Sequence, residues 1–64
     1  MVVNGKKLHF ETQISVVELL VHLNLNDTRI VVELNKKILP KTQFTNTILT
    51  DSDEIEIVGF VGGG

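Results

Sequence analysis

Residues 1–23, MVVNGKKLHFETQISVVELLVHL, carry a hairpin signal followed directly by a helix signal. Asn4-Gly5 is the strongest short hairpin signal, because a type I′ turn requires positive φ at both central residues. Apolar residues alternate along the two arms that flank it: Met1, Val3, Leu8 and Phe10. Residues 1–11 therefore predict two antiparallel strands joined by a tight turn.

Residues 14–25, ISVVELLVHLNL, predict an amphipathic helix. Ser15 and Glu18 have the spacing of a capping box, in which the hydroxyl bonds an early helix amide and the carboxylate reaches back. Four apolar residues fall on one face over about three turns: Val16, Leu19, Leu20 and Leu23. Asn24 and the polar residues 26–28 end the helix.

Three stretches after the helix predict further strands. Residues 29–35, RIVVELN, alternate between a buried and an exposed face, and KKIL, residues 36–39, predicts a short edge strand before Pro40. EIEIV, residues 54–58, predicts the last strand, with Ile55 and Ile57 facing inward and Glu56 and Val58 facing outward. The intervening segment is irregular, and we expect three apolar residues to pin it to the core: Phe44, Ile48 and Leu49.

The predicted order of elements, β-β-α-β-(β)-β, is that of the β-grasp or ubiquitin-like fold. A mixed sheet of four to five strands with one amphipathic helix packed on its apolar face is the economical way to bury both. The fold class is therefore α+β. We expect one domain over residues 1–61 and a flexible glycine tail over residues 62–64.

Composition excludes several classes of function. The 64 residues contain no cysteine and carry a net charge of −2. A disulfide framework, a thiolate zinc site and a cysteine nucleophile are therefore excluded, and a small domain without cysteine is typical of the cytoplasm. Nucleic-acid binding would need a clustered basic face, and no apolar run approaches the ~20 residues that span a membrane.

The polar side chains predict no active site and no metal site inside the domain. His9 and His22 lack companions at metal-ligand spacing. The acidic residues 51–56 lack the spacing and central glycine of a calcium loop. Ser15 is used by its cap and has no histidine base in local register. We therefore expect no catalytic residue, no bound cofactor and no enzyme activity of the chain itself.

The remaining feature is GFVGGG, residues 59–64. Glycine has no Cβ, so a run of it can enter a narrow pocket that rejects branched residues. The terminal carboxylate of Gly64 is a poor electrophile until it is activated, for example as an acyl adenylate. A mobile terminus or a cloning remnant is the alternative interpretation. Gly59 predicts a bend or a close backbone approach at the strand end.

The chain resembles the ThiS family, the sulfur carriers of thiamine thiazole biosynthesis. The matching stretches cover essentially the whole chain: VNG (3–5), SVVELLVHL (15–23), VVELNKKILP (31–40) and DSDEIEIVGFVGGG (51–64). The chain departs from the family's common pattern at Ser52, often Gly, at Lys41, often Arg, and at Phe44, often Trp. None of these departures lies in the tail.

The resemblance implies a cycle run by partner proteins. An E1-like adenylyltransferase of the ThiF type would activate the Gly64 carboxylate with ATP. A cysteine desulfurase system would then supply persulfide sulfur, leaving a thiocarboxylate on Gly64. Thiazole synthase of the ThiG type would take that sulfur into the thiazole ring. The carrier would bind no cofactor beyond this transient covalent group, and the free protein is expected to be a monomer.

Strand alternation predicts the surface that partners recognise. We expect Val58, Phe60 and Val61 to dock on the partner while Gly62, Gly63 and Gly64 insert into its active site. An exposed aromatic residue next to a mobile segment is a typical interface anchor. The alternative is that Phe60 folds back over the edge of the sheet.

Three other functions remain open on the sequence alone. The nearest is a sulfur carrier for molybdopterin or another thiocarboxylate pathway, which the short length and the LNKKILP segment, residues 34–40, disfavour. A ubiquitin-like modifier would use the same activated Gly64 to form an isopeptide bond to lysine. A plain interaction domain would leave the tail idle.

Overall fold

The computed structural model describes residues 1–59, and of Asp27 only the backbone. Within that range two short 3₁₀ turns, Asp27–Arg29 and Lys41–Gln43, accompany one α-helix and seven strands. The elements are β1 (Val2–Val3), β2 (Lys6–Lys7), β3 (Ile14–Ser15), α1 (Val16–His22), β4 (Ile30–Leu34), β5 (Lys37–Leu39), β6 (Ile48–Leu49) and β7 (Glu54–Gly59). No helix in this part of the chain is long and apolar enough to cross a membrane.

Residues 1–59 form a five-stranded mixed sheet in the order β2-β1-β7-β4-β5. Strands β1 and β7 are parallel, while the other neighbouring pairs are antiparallel. Strand β7, the last strand of the described residues, therefore lies in the middle of the sheet, between β1 and β4. The predicted α+β class and the five-stranded sheet with one helix are confirmed.

Both tight hairpins use a left-handed backbone. Asn4 and Gly5 join β1 to β2 with φ values of 51° and 84°, as the type I′ prediction requires. Asn35 and Lys36 join β4 to β5 with φ values of 51° and 71°. Asparagine tolerates this region, whereas a residue with a long side chain is strained there by its Cβ.

Replacing Lys36 with Gly should therefore stabilise the protein. Removing the Cβ relieves left-handed strain of about 1–2 kcal/mol, and the extra flexibility of the unfolded chain offsets about 0.4–1 kcal/mol of that gain. The melting temperature should rise by a few degrees, measured by circular dichroism. Lys37→Gly is the matched control, because it makes the same change in a strand and should lower the melting temperature; an equal fall in both variants would contradict the strain.

Helix α1 begins at the predicted capping box and covers the inner face of the sheet. The Glu18 amide donates to Ser15 Oγ at 3.1 Å, and the Ser15 amide donates to Glu18 Oε1 at 2.7 Å. The buried apolar side chains form one core between helix and sheet: Met1, Val3, Val16, Leu19, Leu20, Ile30, Val32, Phe44, Leu49 and Ile55. Ser15 is the buried polar residue at the edge of this core.

The prediction for the segment before β7 is right for two residues and wrong for the third. Phe44 and Leu49 are each 1% exposed, but Ile48 is 49% exposed. The reason is an unforeseen two-stranded sheet in which β6 pairs with β3, Ser15 opposite Ile48 and Ile14 opposite Leu49. Neighbouring residues of a strand point to opposite faces, so burying Leu49 turns Ile48 toward solvent.

Candidate functional site

The candidate site is the end of β7, where the central strand leads into the glycine tail. Its outward and inward residues alternate as predicted: Ile55 is buried, Ile57 is half-buried, and Glu56 and Val58 are exposed. The predicted docking and insertion residues Phe60, Val61, Gly62, Gly63 and Gly64 lie outside the described residues. Their roles therefore stay predictions.

Gly59 is the last residue of β7 and pairs with Ile30 at the start of β4. A Cβ added there would meet no atom within 4 Å. The predicted close backbone approach is therefore wrong, since a side chain at Gly59 would have room. A bend after Gly59 would fall outside the described residues and stays a prediction.

An exposed face with an apolar centre surrounds the end of β7 on the side of the sheet away from α1. We call it the outer face and define it by Val31, Glu33, Ile38, Glu56 and Val58. The strand register places Val31 opposite Val58, and Glu33 opposite both Glu56 and Ile38, so all five share one side. Val58 is 52% exposed and Ile38 is 70% exposed. The face thus combines apolar contact area with two carboxylates.

The first residue of β7 is held by the turn that joins β4 to β5. The Asn35 amide donates to the carbonyl of Glu54 at 2.8 Å, and the Glu54 amide donates to Asn35 Oδ1 at 2.9 Å. Asn35 Nδ2 also donates to Asp53 Oδ1 at 3.1 Å, while Asp53 Oδ2 accepts from the Thr50 amide at 2.8 Å. One asparagine side chain therefore joins two turns at the entry to the central strand.

These hydrogen bonds favour the ionised form of Asp53. Desolvation by partial burial raises the pKa of this carboxyl, but hydrogen bonds from Thr50 and Asn35 outweigh it and lower the pKa below its ordinary value of 3.8. Asp53 is therefore ionised at neutral pH and accepts from both neighbours. Its role is to hold the turn before β7.

The polar side chains of the described residues are arranged for structure. Among residues 1–59 no three His, Asp or Glu side chains are placed to hold a metal ion. His9 Nδ1 lies 3.6 Å from Asp51 Oδ1 at an exposed position, and the His22 ring packs edge-on against Phe10 with ring centroids 4.9 Å apart. Ser15 Oγ accepts the helix cap bond.

The sequence interpretation missed two parts of this site. Ile38 is exposed beside the acidic pair, and the signal for it was the alternation of Ile38 with Leu39 in the short strand before Pro40. The side-chain contacts of the two turn asparagines, Asn4 and Asn35, with β7 had no local signal, because they join residues far apart in the chain.

Comparison with known proteins gives the same assignment along the whole chain. The profile of the ThiS family matches residues 1–64. The sulfur carrier protein ThiS of Bacillus subtilis (strain 168) is 39% identical over 62 residues, covering 95% of this chain and 94% of that protein. A thiazole synthase of Paramagnetospirillum magneticum is 36% identical over 64 residues, which are 100% of this chain and only 20% of that much longer relative.

A solved structure is similar to this chain in both fold and sequence. The crystal structure of the thiamine biosynthesis protein ThiS from Geobacter metallireducens superposes with a TM-score of 0.81 at 35% identity, covering 98% of this chain and 96% of that one. With a family profile matched from end to end and a near-full-length relative in Bacillus, the chain belongs to the ThiS family.

Proposed function

We propose that this chain is a sulfur carrier that delivers sulfur to the thiazole ring of thiamine from a thiocarboxylate on Gly64. The observation that carries the proposal is the full-length match to the ThiS family, whose Bacillus member is a sulfur carrier protein. The Geobacter member of like fold is a thiamine biosynthesis protein, which favours the thiamine pathway over molybdopterin. The chain itself acts as a reusable substrate of its partner enzymes.

The chemistry requires activation because a carboxylate is a poor electrophile. The Gly64 carboxylate attacks the α-phosphate of ATP, releasing pyrophosphate and forming an acyl adenylate. The terminal sulfur of a protein persulfide then attacks the acyl carbon and displaces AMP. A thiol cleaves the sulfur–sulfur bond of the resulting acyl disulfide, which leaves a thiocarboxylate on Gly64 and a disulfide on the donor side. The thiocarboxylate sulfur is a soft nucleophile that the original oxygen is not.

The proposed partners follow from these steps. An E1-like adenylyltransferase of the ThiF type forms the adenylate, and a cysteine desulfurase system provides the persulfide. A thiazole synthase of the ThiG type consumes the loaded carrier. The similarity of this whole chain to a fifth of one thiazole synthase supports the last partner, since domains joined in one polypeptide commonly act together.

The outer face is the surface on which we place these partners. Val58 is the last exposed apolar side chain that the structure describes before the tail, so a partner that holds the tail must approach it. The predicted anchors Phe60 and Val61 follow Val58 closely in the sequence and lie outside the described residues. Glu33 and Glu56 favour a partner with basic side chains around its apolar contact.

Replacing Val58 with Gln should weaken binding to the adenylyltransferase about tenfold, because an interface residue of this size contributes about 1–2 kcal/mol. Val21→Gln is the matched control: Val21 is 72% exposed but lies on α1, away from the outer face. Both variants should keep the wild-type melting temperature. Isothermal titration measures the dissociation constants, and equal affinities for the two variants would remove Val58 from the interface.

The function is tested by adenylate formation on purified protein. Wild-type chain, a ThiF-type enzyme, ATP and Mg²⁺ should release pyrophosphate, and hydroxylamine should trap the acyl group at Gly64. A semisynthetic chain that ends in a Gly64 amide is the control and should release none. Pyrophosphate release from the amide form, or none from the wild type, would refute the proposed function.

A further inference from the structure

We propose that Asn4 is a positioning residue that fixes the direction in which the tail leaves the sheet. Its side chain accepts a hydrogen bond from the backbone amide of Ile57, with 2.7 Å between Asn4 Oδ1 and Ile57 N. This contact joins the first hairpin of the chain to the last strand. The effect of Asn4 on function rests on the proposed function, because the direction of the tail matters only if the tail must enter a partner's active site.

The contact replaces a bond that strand pairing cannot supply. Strand β1 ends at Val3, opposite Ile55, while β7 continues to Gly59. The Asn4 amide makes the next ladder bond, donating to the carbonyl of Ile55 at 2.9 Å. At Asn4 the backbone turns into the left-handed region, with φ at 51°, and leaves the sheet. The side-chain oxygen then takes the position of the next ladder acceptor.

The other edge of β7 is paired along its whole length. Strand β4 pairs with every residue of β7 from Ile55 to Gly59, and Asn35 extends that pairing to Glu54. The edge toward β1 loses its backbone partner after Ile55, so Asn4 Oδ1 holds it at Ile57. A strand fixed on both edges presents the following residues along one direction. A strand that is unpaired on one edge samples more conformations, so binding of the tail must lose more conformational entropy.

Substitutions at Asn4 can distinguish the hydrogen bond of its side chain from its part in forming the hairpin turn. Glycine keeps the positive φ that the hairpin needs and removes the acceptor, so Asn4→Gly tests the side chain alone. Aspartate also suits this turn and keeps an acceptor oxygen, so Asn4→Asp should restore the contact. Asn24→Gly is the matched control, because Asn24 has φ at 59° at the end of α1, away from β7.

The experiment combines amide exchange with steady-state adenylation kinetics. In Asn4→Gly we expect the Ile57 amide to exchange about tenfold faster by NMR, since it loses its hydrogen bond. The KM of the adenylyltransferase for the Asn4→Gly carrier should rise about fivefold, because binding must order a wider range of conformations at the end of β7. Its kcat should be nearly unchanged, because the bound geometry is the same. Asn4→Asp and Asn24→Gly should stay within twofold of wild type in both measurements.

Each arm can overturn the inference by itself. Unchanged exchange at Ile57 in Asn4→Gly means that the bond does not hold the strand. Faster exchange with an unchanged KM means that the bond is structural only. A KM that rises equally in Asn24→Gly assigns the effect to general loosening. If the wild-type chain is not adenylated at all, the proposed function fails, and the kinetic consequence of Asn4 fails with it, while the exchange arm still reports on the strand.

Discussion

Deleting Gly63 and Gly64 is expected to abolish sulfur loading and leave the melting temperature within about 2 °C of wild type, because chain ends outside packed elements add little stability. The last described element, β7, ends at Gly59, so the deletion leaves the sheet and its core intact. The new terminal carboxylate belongs to Gly62 and falls short of the nucleotide. Intact mass after incubation with ATP, the adenylyltransferase and the sulfur donor measures the loading.

A variant of unchanged length distinguishes the need for a long tail from the need for a tail without side chains. Gly63→Ala combined with Gly64→Ala keeps the terminal carboxylate in place but adds two Cβ atoms, which a narrow channel excludes. We expect loading of this variant to persist at a rate reduced by at least about tenfold. Full loading of the shortened chain would show that Gly63 and Gly64 are not needed for sulfur transfer, whereas a fall of about 10 °C or more in its melting temperature would show that the tail is structural.

Replacing Phe44 with Ala is expected to remove a large part of the protein's unfolding free energy. Phe44 is 1% exposed and is the largest fully buried side chain among the described residues. Its removal costs about 3–5 kcal/mol, whereas a domain of this length has a total stability of about 3–10 kcal/mol. Urea denaturation followed by circular dichroism at 25 °C measures the difference in unfolding free energy.

Ile48→Ala is the matched control for this prediction. Ile48 lies four residues further along the same segment and is 49% exposed, so its truncation should cost less than about 1 kcal/mol. The sequence pattern alone predicts similar losses for the two variants, because it places both side chains in the core. Similar measured losses would contradict the exposure of Ile48 and the pairing of β6 with β3.

The features predicted correctly from sequence are those encoded by neighbouring residues. The hairpin at Asn4-Gly5 depends on two adjacent residues with left-handed φ, and the start of the helix depends on Ser15 and Glu18, three positions apart. The inward positions of β7 follow from period-two alternation alone. Such signals can be read without knowing where the rest of the chain lies.

The features that were missed depend on pairings between distant residues. Ile48 looked like a core residue because the segment before β7 gave no sign that it would pair with Ile14 and Ser15. The contacts of Asn35 with Glu54 and of Asn4 with Ile57 join turns to a strand that lies far along the chain. The turn alone accounts for an asparagine at these positions, so the local sequence gave no sign that the side chain also contacts β7.

The docking surface shows the same division. Alternation in β7 and in β4 predicts that Val58 and Val31 face outward, but only the strand register shows that Ile38 lies on the same face. A surface assembled from three strands has no signature in any one of them. The tail required no tertiary information, since its proposed chemistry depends on glycine and a carboxylate.

The most direct measurement is the mass of the carrier isolated from cells that lack thiazole synthase, so that any loaded form accumulates. We predict that the intact chain is heavier by the difference between one sulfur and one oxygen atom, and that fragmentation places the sulfur on Gly64. An unmodified terminus, sulfur at another residue, or Gly64 joined to a lysine of another protein would contradict the account.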